Sequence, residues 1–347
     1  MKQKICLVLF LLTELCAAQA HKAYLIHDFM KGYTLYFVSQ TTNSETKEYY
    51  KLTENTSKKT VLEYGEKELL KPQINKTVPT IAFKSIADKN IEVLGDVNFD
   101  GKQDILIYET MINDDGCYNP QATAHVFVNT ATTFVYSKSI SDVYNGAHCV
   151  RGGSFDIDTK NKRLITSGSG GAALHVSAYY SVSGIEAKEI ANFEEEGYSS
   201  MPFSKITGKK WENNKWVPFT SLSLYEPEVN KLLSFDTKNG KGHIILFNAD
   251  NTLYYAFQQN NEYKFISFAH PSSVEKADKA IFKFRKQNTN YELQFNSGSI
   301  KYLIYDTPDS VGIKINVNGK ISDWQGINKK GSLSGLETAK LANVTKD

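Results

Sequence analysis

Short hydrophobic runs with alternating or β-branched positions recur along the chain, and clusters of Asn, Gly, Asp and Lys separate them. Runs of this kind cover residues 33–38, 105–108, 252–257 and 312–317. Successive side chains of a strand point to opposite faces, and Tyr, Phe, Val and Thr suit such half-buried surfaces. No segment has the spacing of an amphipathic helix over a useful length. The pattern predicts an all-β fold, β-propeller-like or a multi-sheet meander, of about twenty strands.

The alternating pattern weakens between residues 194 and 230, where acidic residues, lysines and prolines become frequent. Loss of pattern together with proline is typical of a region between two domains. The sequence therefore predicts a first β domain at residues 21–230 and a C-terminal β module at residues 231–347. The polar tail at residues 329–347 is expected to be loosely attached.

The first twenty residues have the layout of a secretory signal peptide. Lys2 and Lys4 precede an apolar run at residues 5–12, and Ala18-Gln19-Ala20 has the small residues that signal peptidase reads. The apolar run is far shorter than the roughly 20 residues that span a bilayer. We therefore expect a signal peptide at residues 1–20, a mature chain from His21, and a periplasmic or secreted protein with no membrane span. A buried N-terminal strand is the alternative.

Charge narrows the classes of partner. The 347 residues carry 40 Lys and Arg against 38 Asp and Glu, a formal net charge of +2. A nucleic-acid binder usually has a concentrated basic face, and this balance gives no sign of one. We therefore expect no nucleic-acid partner.

Cysteine positions indicate an oxidising compartment. Of the four cysteines, Cys6 and Cys16 fall in the predicted signal peptide, which leaves Cys117 and Cys149 in the mature chain. Two cysteines in an exported protein favour one disulfide bond. Two free buried thiols are the alternative.

The strongest motif is an oxygen-rich loop of the form D-x-N-x-D-G-x-x-D. It places side-chain oxygens on Asp96, Asn98, Asp100 and Asp104, and Lys102 would add its backbone carbonyl while its side chain faces solvent. Hard cations such as Ca²⁺ take six to eight oxygen ligands, and alternate positions of a curling loop point inward. The motif predicts that the first β domain binds Ca²⁺. An Asp/Asn/Gly-rich β-turn without an ion is the alternative.

The loop departs from a full EF-hand. Gly101 allows the sharp turn, but Ile107 stands where an EF-hand has its bidentate Glu, and a strand follows where an EF-hand has a helix. The pattern is closer to the Ca²⁺ loops of dockerins and of FG-GAP propeller repeats. With one strong ligand missing, we expect a Kd of about 10⁻⁵–10⁻³ M, in the extracellular range.

The sequence shows little sign of a zinc site, a phosphate-binding loop or a catalytic nucleophile. The seven histidines lack the H-x-H and H-E-x-x-H spacings of zinc sites. The Gly-rich residues 166–171 lack the Lys-Ser/Thr of a P-loop and the G-x-S-x-G of a nucleophile elbow. We therefore expect a protein without enzymatic activity.

The block at residues 91–193 resembles a known bacterial family. The matching segments read VLGDVNFDGKQDILI, HVFVNTATTFVYSKSIS, FDIDTKNKRLIT and ALHVSAYY. They are similar to periplasmic Ca²⁺-binding β-propeller-like proteins related to a Xanthomonas inhibitor, which protects its producer from a lysozyme-like effector delivered to rivals. The resemblance implies Ca²⁺ as the cofactor. The implied metal ligands are Asp96, Asn98, Asp100, Lys102 and Asp104.

Two functions follow as expectations. The first is a lysozyme-type inhibitor or immunity protein, whose partner is a lysozyme-like peptidoglycan hydrolase. The second is a periplasmic or surface module that recognises a glycan or another protein without inhibiting an enzyme. Exposed aromatic residues would serve the second function, and the candidates are Trp211, Trp216 and Trp324.

Overall fold

A computed structural model describes residues 20–42, 45–73, 78–80, 90–109, 123–224, 229–260 and 265–347. The predicted signal peptide up to residue 19 lies outside these residues, and so does Cys117. The described chain is built almost entirely of antiparallel strands in several sheets. The predicted all-β fold of the multi-sheet meander type is confirmed.

The chain divides into two compact units, of which unit 1 comprises Met1–Gly146 and Val182–Ala187. Two four-stranded sheets form in it, each with its strands in sequence order. The first contains β1 (Ala20–Met30), β2 (Tyr33–Thr42), β3 (Glu45–Glu54) and β4 (Thr60–Gly65). The second contains β5 (Ile91–Gly95), β6 (Asp104–Glu109), β7 (Thr123–Asn129) and β8 (Phe134–Ser137). A short 3-10 helix, Lys67–Gln73, follows the first sheet.

One hydrophobic core joins the two sheets of unit 1. Leu35 and Leu52 of the first sheet belong to the same buried cluster as Ile105 and Ile107 of the second. Leu35 of β2 and Ile105 and Ile107 of β6 lie on the faces of their strands that meet this core, because successive side chains of a strand point to opposite faces. The core therefore fixes the faces of β5 and β6, the two strands that flank the oxygen-rich loop.

A helix that the sequence pattern did not predict follows β8. It is α1, Lys138–Cys149, and the Ser137 hydroxyl caps its start by accepting a hydrogen bond from the Ile140 amide at 3.1 Å. Ile140, Tyr144 and Ala147 form its buried stripe. The stripe is narrow, and polar or small residues fill the other positions, so the helical period is weak in the sequence.

Unit 2 comprises Ala147–Ser181 and Lys188–Asp347, and a sheet of sixteen strands dominates its described residues. Six strands form its first meander: β9 (Ser154–Asp158), β10 (Arg163–Ser169), β11 (Leu174–Ser183), β12 (Glu186–Ser200), β13 (Phe203–Glu212) and β14 (Lys215–Ser223). Four form the second: β15 (Asn230–Thr237), β16 (Gly242–Ala249), β17 (Thr252–Gln259) and β18 (Ile266–His270). The third contains β19 (Phe282–Gln287), β20 (Asn290–Ser297), β21 (Ile300–Asp306), β22 (Val311–Val317) and β23 (Lys320–Gly331), and β24 (Val344–Lys346) adds a last strand. Short 3-10 helices lie at Val274–Lys279 and Leu333–Leu336.

Three pairings between strands distant in sequence complete this sheet: two join the meanders, and the third adds β24 to the edge of the sheet. Leu222 of β14 pairs with Ile266 of β18, β15 pairs with β23, and β24 pairs in parallel with β19. The sheet therefore runs across residue 230, where the sequence predicts a domain boundary. The division into compact units falls instead between residues 146 and 147.

The C-terminal tail is docked on unit 2, in contrast to the loose attachment expected from its polar composition. Leu333, Leu336 and Leu341 are buried in the core beneath β15–β23. Widely spaced apolar residues in a polar segment are weak evidence for burial in the sequence, yet each of these leucines packs in the core. Among the described residues, no helix has the length and apolar character needed to cross a membrane.

Asn343 anchors this tail through a buried amide. Its Oδ1 accepts a hydrogen bond from the Leu253 amide at 2.8 Å, and its Nδ2 donates to the carbonyls of Leu253 at 2.9 Å and Ala280 at 3.2 Å. The side chain is 3% exposed. It therefore replaces a strand partner for Leu253, whose backbone groups would otherwise be buried without hydrogen bonds.

We predict that Asn343→Ala lowers the free energy of unfolding of unit 2 by about 2–4 kcal/mol, because it leaves several buried backbone groups unpaired. Urea unfolding followed by tryptophan fluorescence measures this change, since every tryptophan of the chain lies in unit 2. Asn296→Ala is the matched control, because Asn296 is exposed on β20 and should change stability by less than about 0.5 kcal/mol. Equal effects of the two substitutions would contradict the anchoring role.

Candidate metal centre

The oxygen-rich loop connects β5 to β6 in unit 1. The strands pair Val93 with Ile105 and Gly95 with Asp104, with an irregularity in register between Val93 and Gly95. Gly95 has a φ of +111°, a conformation that residues with a side chain rarely adopt. The bulge at this point turns the chain out of the sheet and starts the loop.

Asp96 organises the first half of the loop. Its Oδ1 accepts a hydrogen bond from the Asp100 amide at 3.0 Å, and its Oδ2 accepts one from the Gly101 amide at 2.8 Å. The Asn98 Oδ1 accepts from the same Asp100 amide at 3.3 Å. The side-chain oxygens of Asp96 and Asn98 are therefore drawn to one point inside the loop, as the alternating spacing in the sequence predicts.

Two residues with positive φ close the turn. Phe99 has a φ of +62° and Gly101 a φ of +87°. A glycine adopts the second value without strain, which agrees with the role expected for Gly101. The buried side chain of Val97 holds the loop to the core of unit 1, so its path does not depend on hydrogen bonds alone.

Asp104 lies at the base of the loop and is fully buried. Its Oδ2 accepts a hydrogen bond from the Val97 amide at 2.7 Å, and its Oδ1 accepts one from the Asn129 amide, at the end of β7, at 2.8 Å. Burial raises the pKa of the Asp104 carboxyl to about 6; these two donors oppose the rise, and the negative charges of Asp96 and Asp100 add to it. The carboxylate is thus held in place by backbone groups from both sides.

Lys102 takes a different position from the one expected. Its backbone amide donates to Asp100 Oδ1 at 3.0 Å, and its ammonium group forms an ion pair with Asp100 Oδ2 at 3.0 Å. Desolvation opposes the shift, but the hydrogen bonds from the Lys102 side chain and backbone lower the pKa of Asp100 overall. The Lys102 side chain, 38% exposed, therefore contacts a candidate ligand and does not simply face solvent.

The donor set of the loop fits a hard divalent cation. Three carboxylates and one side-chain amide oxygen lie within nine residues of the chain, and Ca²⁺ prefers such oxygens. A carboxylate oxygen that accepts one hydrogen bond keeps further lone pairs for a metal. Three Asp side chains against the single Lys leave a formal charge of −2, which a divalent cation would neutralise.

The structure brings the predicted ligands together only in part. Asp96 and Asn98 share the Asp100 amide, and Asp100 is joined to Lys102, whereas both oxygens of Asp104 point to backbone amides at the base. Within the described ranges, no group of three or more His, Cys, Asp or Glu side chains is already gathered as a metal cluster. Binding of a cation would therefore require Asp100 to exchange the Lys102 ammonium for the ion.

Sequence reasoning missed Asn129, which fixes Asp104 from a distance of 25 positions along the chain. Its amide side chain also stabilises the turn after β7, where Oδ1 accepts a hydrogen bond from the Ala131 amide at 3.0 Å. No spacing rule links the two segments, because the pairing of β6 with β7 brings them together.

The predicted disulfide concerns the end of α1. Cys149 is disulfide-bonded. Cys117 lies outside the described residues, so the pairing of Cys117 with Cys149 stays a prediction.

We predict that Asp100→Asn and Asp104→Asn separate metal binding from folding. Asp100→Asn should raise the Kd for Ca²⁺ at least about tenfold and change the stability of the EDTA-treated protein by less than about 1 kcal/mol, because its ion pair with Lys102 is partly exposed. Asp104→Asn should cost about 2 kcal/mol even in EDTA, since the amide cannot accept both backbone hydrogen bonds.

Calorimetric Ca²⁺ titration and urea unfolding of EDTA-treated protein measure the two effects. The wild-type chain should bind with a Kd of about 10⁻⁵–10⁻³ M. Absence of any Ca²⁺-dependent heat, together with an unchanged melting temperature in millimolar Ca²⁺, would show that the loop is a turn without an ion.

Comparison with known proteins gives only distant similarities. No protein-family model and no curated protein matches the chain. Among solved structures, it is similar to a Xanthomonas type IV secretion system related protein at 16% identity, over 55% of this chain and 82% of that chain, with a TM-score of 0.31. It is also similar to TolB from Acinetobacter baumannii at 9% identity, over 87% of this chain and 81% of that chain, with a TM-score of 0.17. At these scores neither likeness carries an argument about fold or function.

Proposed function

We propose that this chain is an exported Ca²⁺-binding protein that acts as a lysozyme-type inhibitor or immunity protein in the periplasm or outside the cell. The observation that carries the calcium part is the network in which backbone amides hold the oxygens of Asp96, Asn98 and Asp104. The resemblance of residues 91–193 to the Xanthomonas inhibitor-related family supports the inhibitory part. The partner would be a lysozyme-like peptidoglycan hydrolase.

Calcium would act in this proposal by neutralising the loop. Without a cation, three carboxylates repel one another within nine residues, and one of them is buried. A divalent cation on the loop would remove this repulsion and favour one conformation of the loop backbone. The surface around the loop would then be presented in one shape, and a ligand that binds only the folded form stabilises that form. The chain itself would supply no catalytic group.

We predict that the Ca²⁺-loaded protein slows peptidoglycan lysis by a lysozyme-like hydrolase and that EDTA abolishes the effect. The assay follows the turbidity of a peptidoglycan suspension, with a panel that includes the hydrolases encoded beside the gene of this protein. Asp100→Asn should lose most of its inhibition at a Ca²⁺ concentration close to the wild-type Kd, because its own Kd is expected to be at least about tenfold higher. Asp142→Asn is the control, because it removes an exposed carboxylate of unit 1 that pairs with Lys138 on α1.

Inhibition by wild type and Asp142→Asn, but not by Asp100→Asn, supports both parts of the proposal. Inhibition that is insensitive to EDTA would contradict the role of calcium. No inhibition of any hydrolase in the panel would contradict the inhibitory function and leave the calcium titration as a separate test of the loop.

A second candidate function, recognition of a glycan or protein without inhibition, is favoured by an aromatic patch on β13 and β14. Trp211 and Trp216 are cross-strand partners whose rings meet edge to face, with centroids 5.6 Å apart. Lys188 lies over the Trp211 ring at 4.6 Å and Lys209 over the Trp216 ring at 4.8 Å. Tryptophan combines a large apolar ring with a polar N–H group and is enriched at binding interfaces.

Trp324, the third aromatic candidate, lies elsewhere in unit 2. Its ring packs against Phe257, with centroids 5.7 Å apart, and Lys241 lies over it at 4.4 Å. It is only partly exposed, whereas Trp216 is 37% exposed. Trp216 is therefore the most accessible of the three tryptophans.

For this second function we predict that Trp216→Ala weakens retention on insoluble peptidoglycan about tenfold, because a ring at the centre of such a patch supplies much of its binding energy. Sedimentation with increasing amounts of peptidoglycan measures the change. Ile321→Ala serves as the control, since Ile321 is an exposed apolar residue on a different hairpin. Equal retention of both variants would argue against the patch.

A further inference from the structure

A cleft of about 510 Å³ opens in unit 2 where β15 and β17 end and β16 begins. Its lining combines apolar surface with polar side chains, among them Asp236, Lys238, His243, Gln259 and Asn260. Ile327 supplies the only large apolar side chain among the described lining residues. A volume of this size suits a small organic ligand.

The polar row in this cleft continues a face of the sheet that is otherwise core. Asp236 pairs with His243, and His243 pairs with Gln258, across three adjacent strands. Two positions further along, the same face carries Ser234, Ile245 and Ala256, which are all buried. The cleft therefore has a floor continuous with the core and a rim of hydrogen-bonding groups.

Asp236 and Asn328 fix the orientation of His243. The His243 Nδ1 lies 2.7 Å from Asp236 Oδ1, and Asn328 Nδ2 donates to Asp236 Oδ2 at 2.8 Å. Because an ionised carboxylate only accepts hydrogen bonds, Nδ1 carries the proton, and in the neutral ring Nε2 is then the acceptor. The hydrogen bonds from Asn328 and His243 also keep the pKa of Asp236 below its usual value, so the acceptor stays charged.

The chemistry of the lining selects among ligand classes. Asp236 and Lys238 give the lining no net formal charge, so it does not favour a phosphate or carboxylate ligand. A lipid chain or an apolar peptide side chain would supply no hydrogen bonds to the carboxylate, imidazole and amide groups of the lining. What remains is a neutral ligand that both donates and accepts several hydrogen bonds, because carboxylate, imidazole and amide groups complement such a ligand.

We propose that this cleft binds a neutral saccharide, with Asp236, His243 and the neighbouring amides hydrogen-bonded to its hydroxyl groups. His243 Nε2 accepts from one hydroxyl, and the free lone pairs of Asp236 accept from another. The site belongs to unit 2 and involves neither the calcium loop nor the Trp211–Trp216 patch. The test of saccharide binding in this cleft is therefore independent of the tests of the functions proposed above.

Saturation-transfer NMR and calorimetry with glucose, N-acetylglucosamine and its β-1,4-linked dimer test this proposal, with inorganic phosphate as the competing ligand class. At least one saccharide should bind the wild-type protein. His243→Ala and Asn328→Ala should each weaken it about tenfold, because a hydrogen bond to a charged group is lost or misdirected. His243→Gln, which can still donate and accept, should recover part of the affinity.

Asp323→Asn is the matched control. Asp323 accepts a hydrogen bond from the Tyr305 hydroxyl at 3.0 Å on the outer side of β21–β23 and does not line this cleft. Its substitution should leave saccharide binding unchanged, and all variants should keep the wild-type melting temperature within a few degrees. Binding of phosphate and of no saccharide would overturn the proposal. Saccharide binding that His243→Ala and Asn328→Ala leave unaffected would overturn it as well.

Discussion

Backbone hydrogen bonding between strands adjacent in sequence is the constraint on which the rest of this structure depends. In each meander a strand pairs with the next strand along the chain, so nearly every connection is a short hairpin. Such turns need positive φ, and Asn213-Asn214, Asp250-Asn251 and Asn318-Gly319 provide it. The oxygen-rich loop is itself one of these hairpin connections. The candidate metal centre is therefore an elaborated turn, positioned by the same pairing that builds the fold.

The parts of the fold that the sequence predicts are those with a local cause. Alternating positions such as those of β2 and continuous apolar runs such as those of β6 and β17 identify strands, and Asn-Gly pairs identify turns. The two joins between meanders, β14 with β18 and β15 with β23, have no local cause, and neither has the pairing of β24 with β19, because the paired strands lie far apart in the sequence. The docking of the C-terminal tail also has no local cause, so the sequence did not predict it. The leucines of the tail are too widely spaced to predict burial. Asn343 would be predicted as an exposed polar residue, because its hydrogen-bond partners Leu253 and Ala280 lie far away in the sequence.

The candidate metal centre likewise has features that the sequence motif predicts and features that it does not. The spacing of Asp96, Asn98 and Asp100 predicts oxygens that turn inward, and the hydrogen bonds within the loop agree with it. The role of Asp104 as a buried base, and the help it receives from Asn129, depends on β7 and could not be predicted from the motif. The position of the Lys102 side chain could not be predicted either, since its ammonium group can bind water or the nearby Asp100 carboxylate.

Two buried aspartates show how the oxygen-rich loop differs from the other buried ionic contacts of this protein. Asp306 is 1% exposed, and Lys329, the Ser332 hydroxyl and the Leu333 amide all donate to it, so its charge is balanced by an ammonium group of the chain. Asp104 is buried to the same degree, but its donors are two neutral amides and its charged neighbours are Asp96 and Asp100. A buried carboxylate without a cationic partner is costly. Lys102 pairs with Asp100 and not with Asp104, so no ammonium group of the loop balances the charge of Asp104. The arrangement around Asp306 is thus complete as a structural element, whereas the arrangement around Asp104 is one that a bound divalent ion would complete.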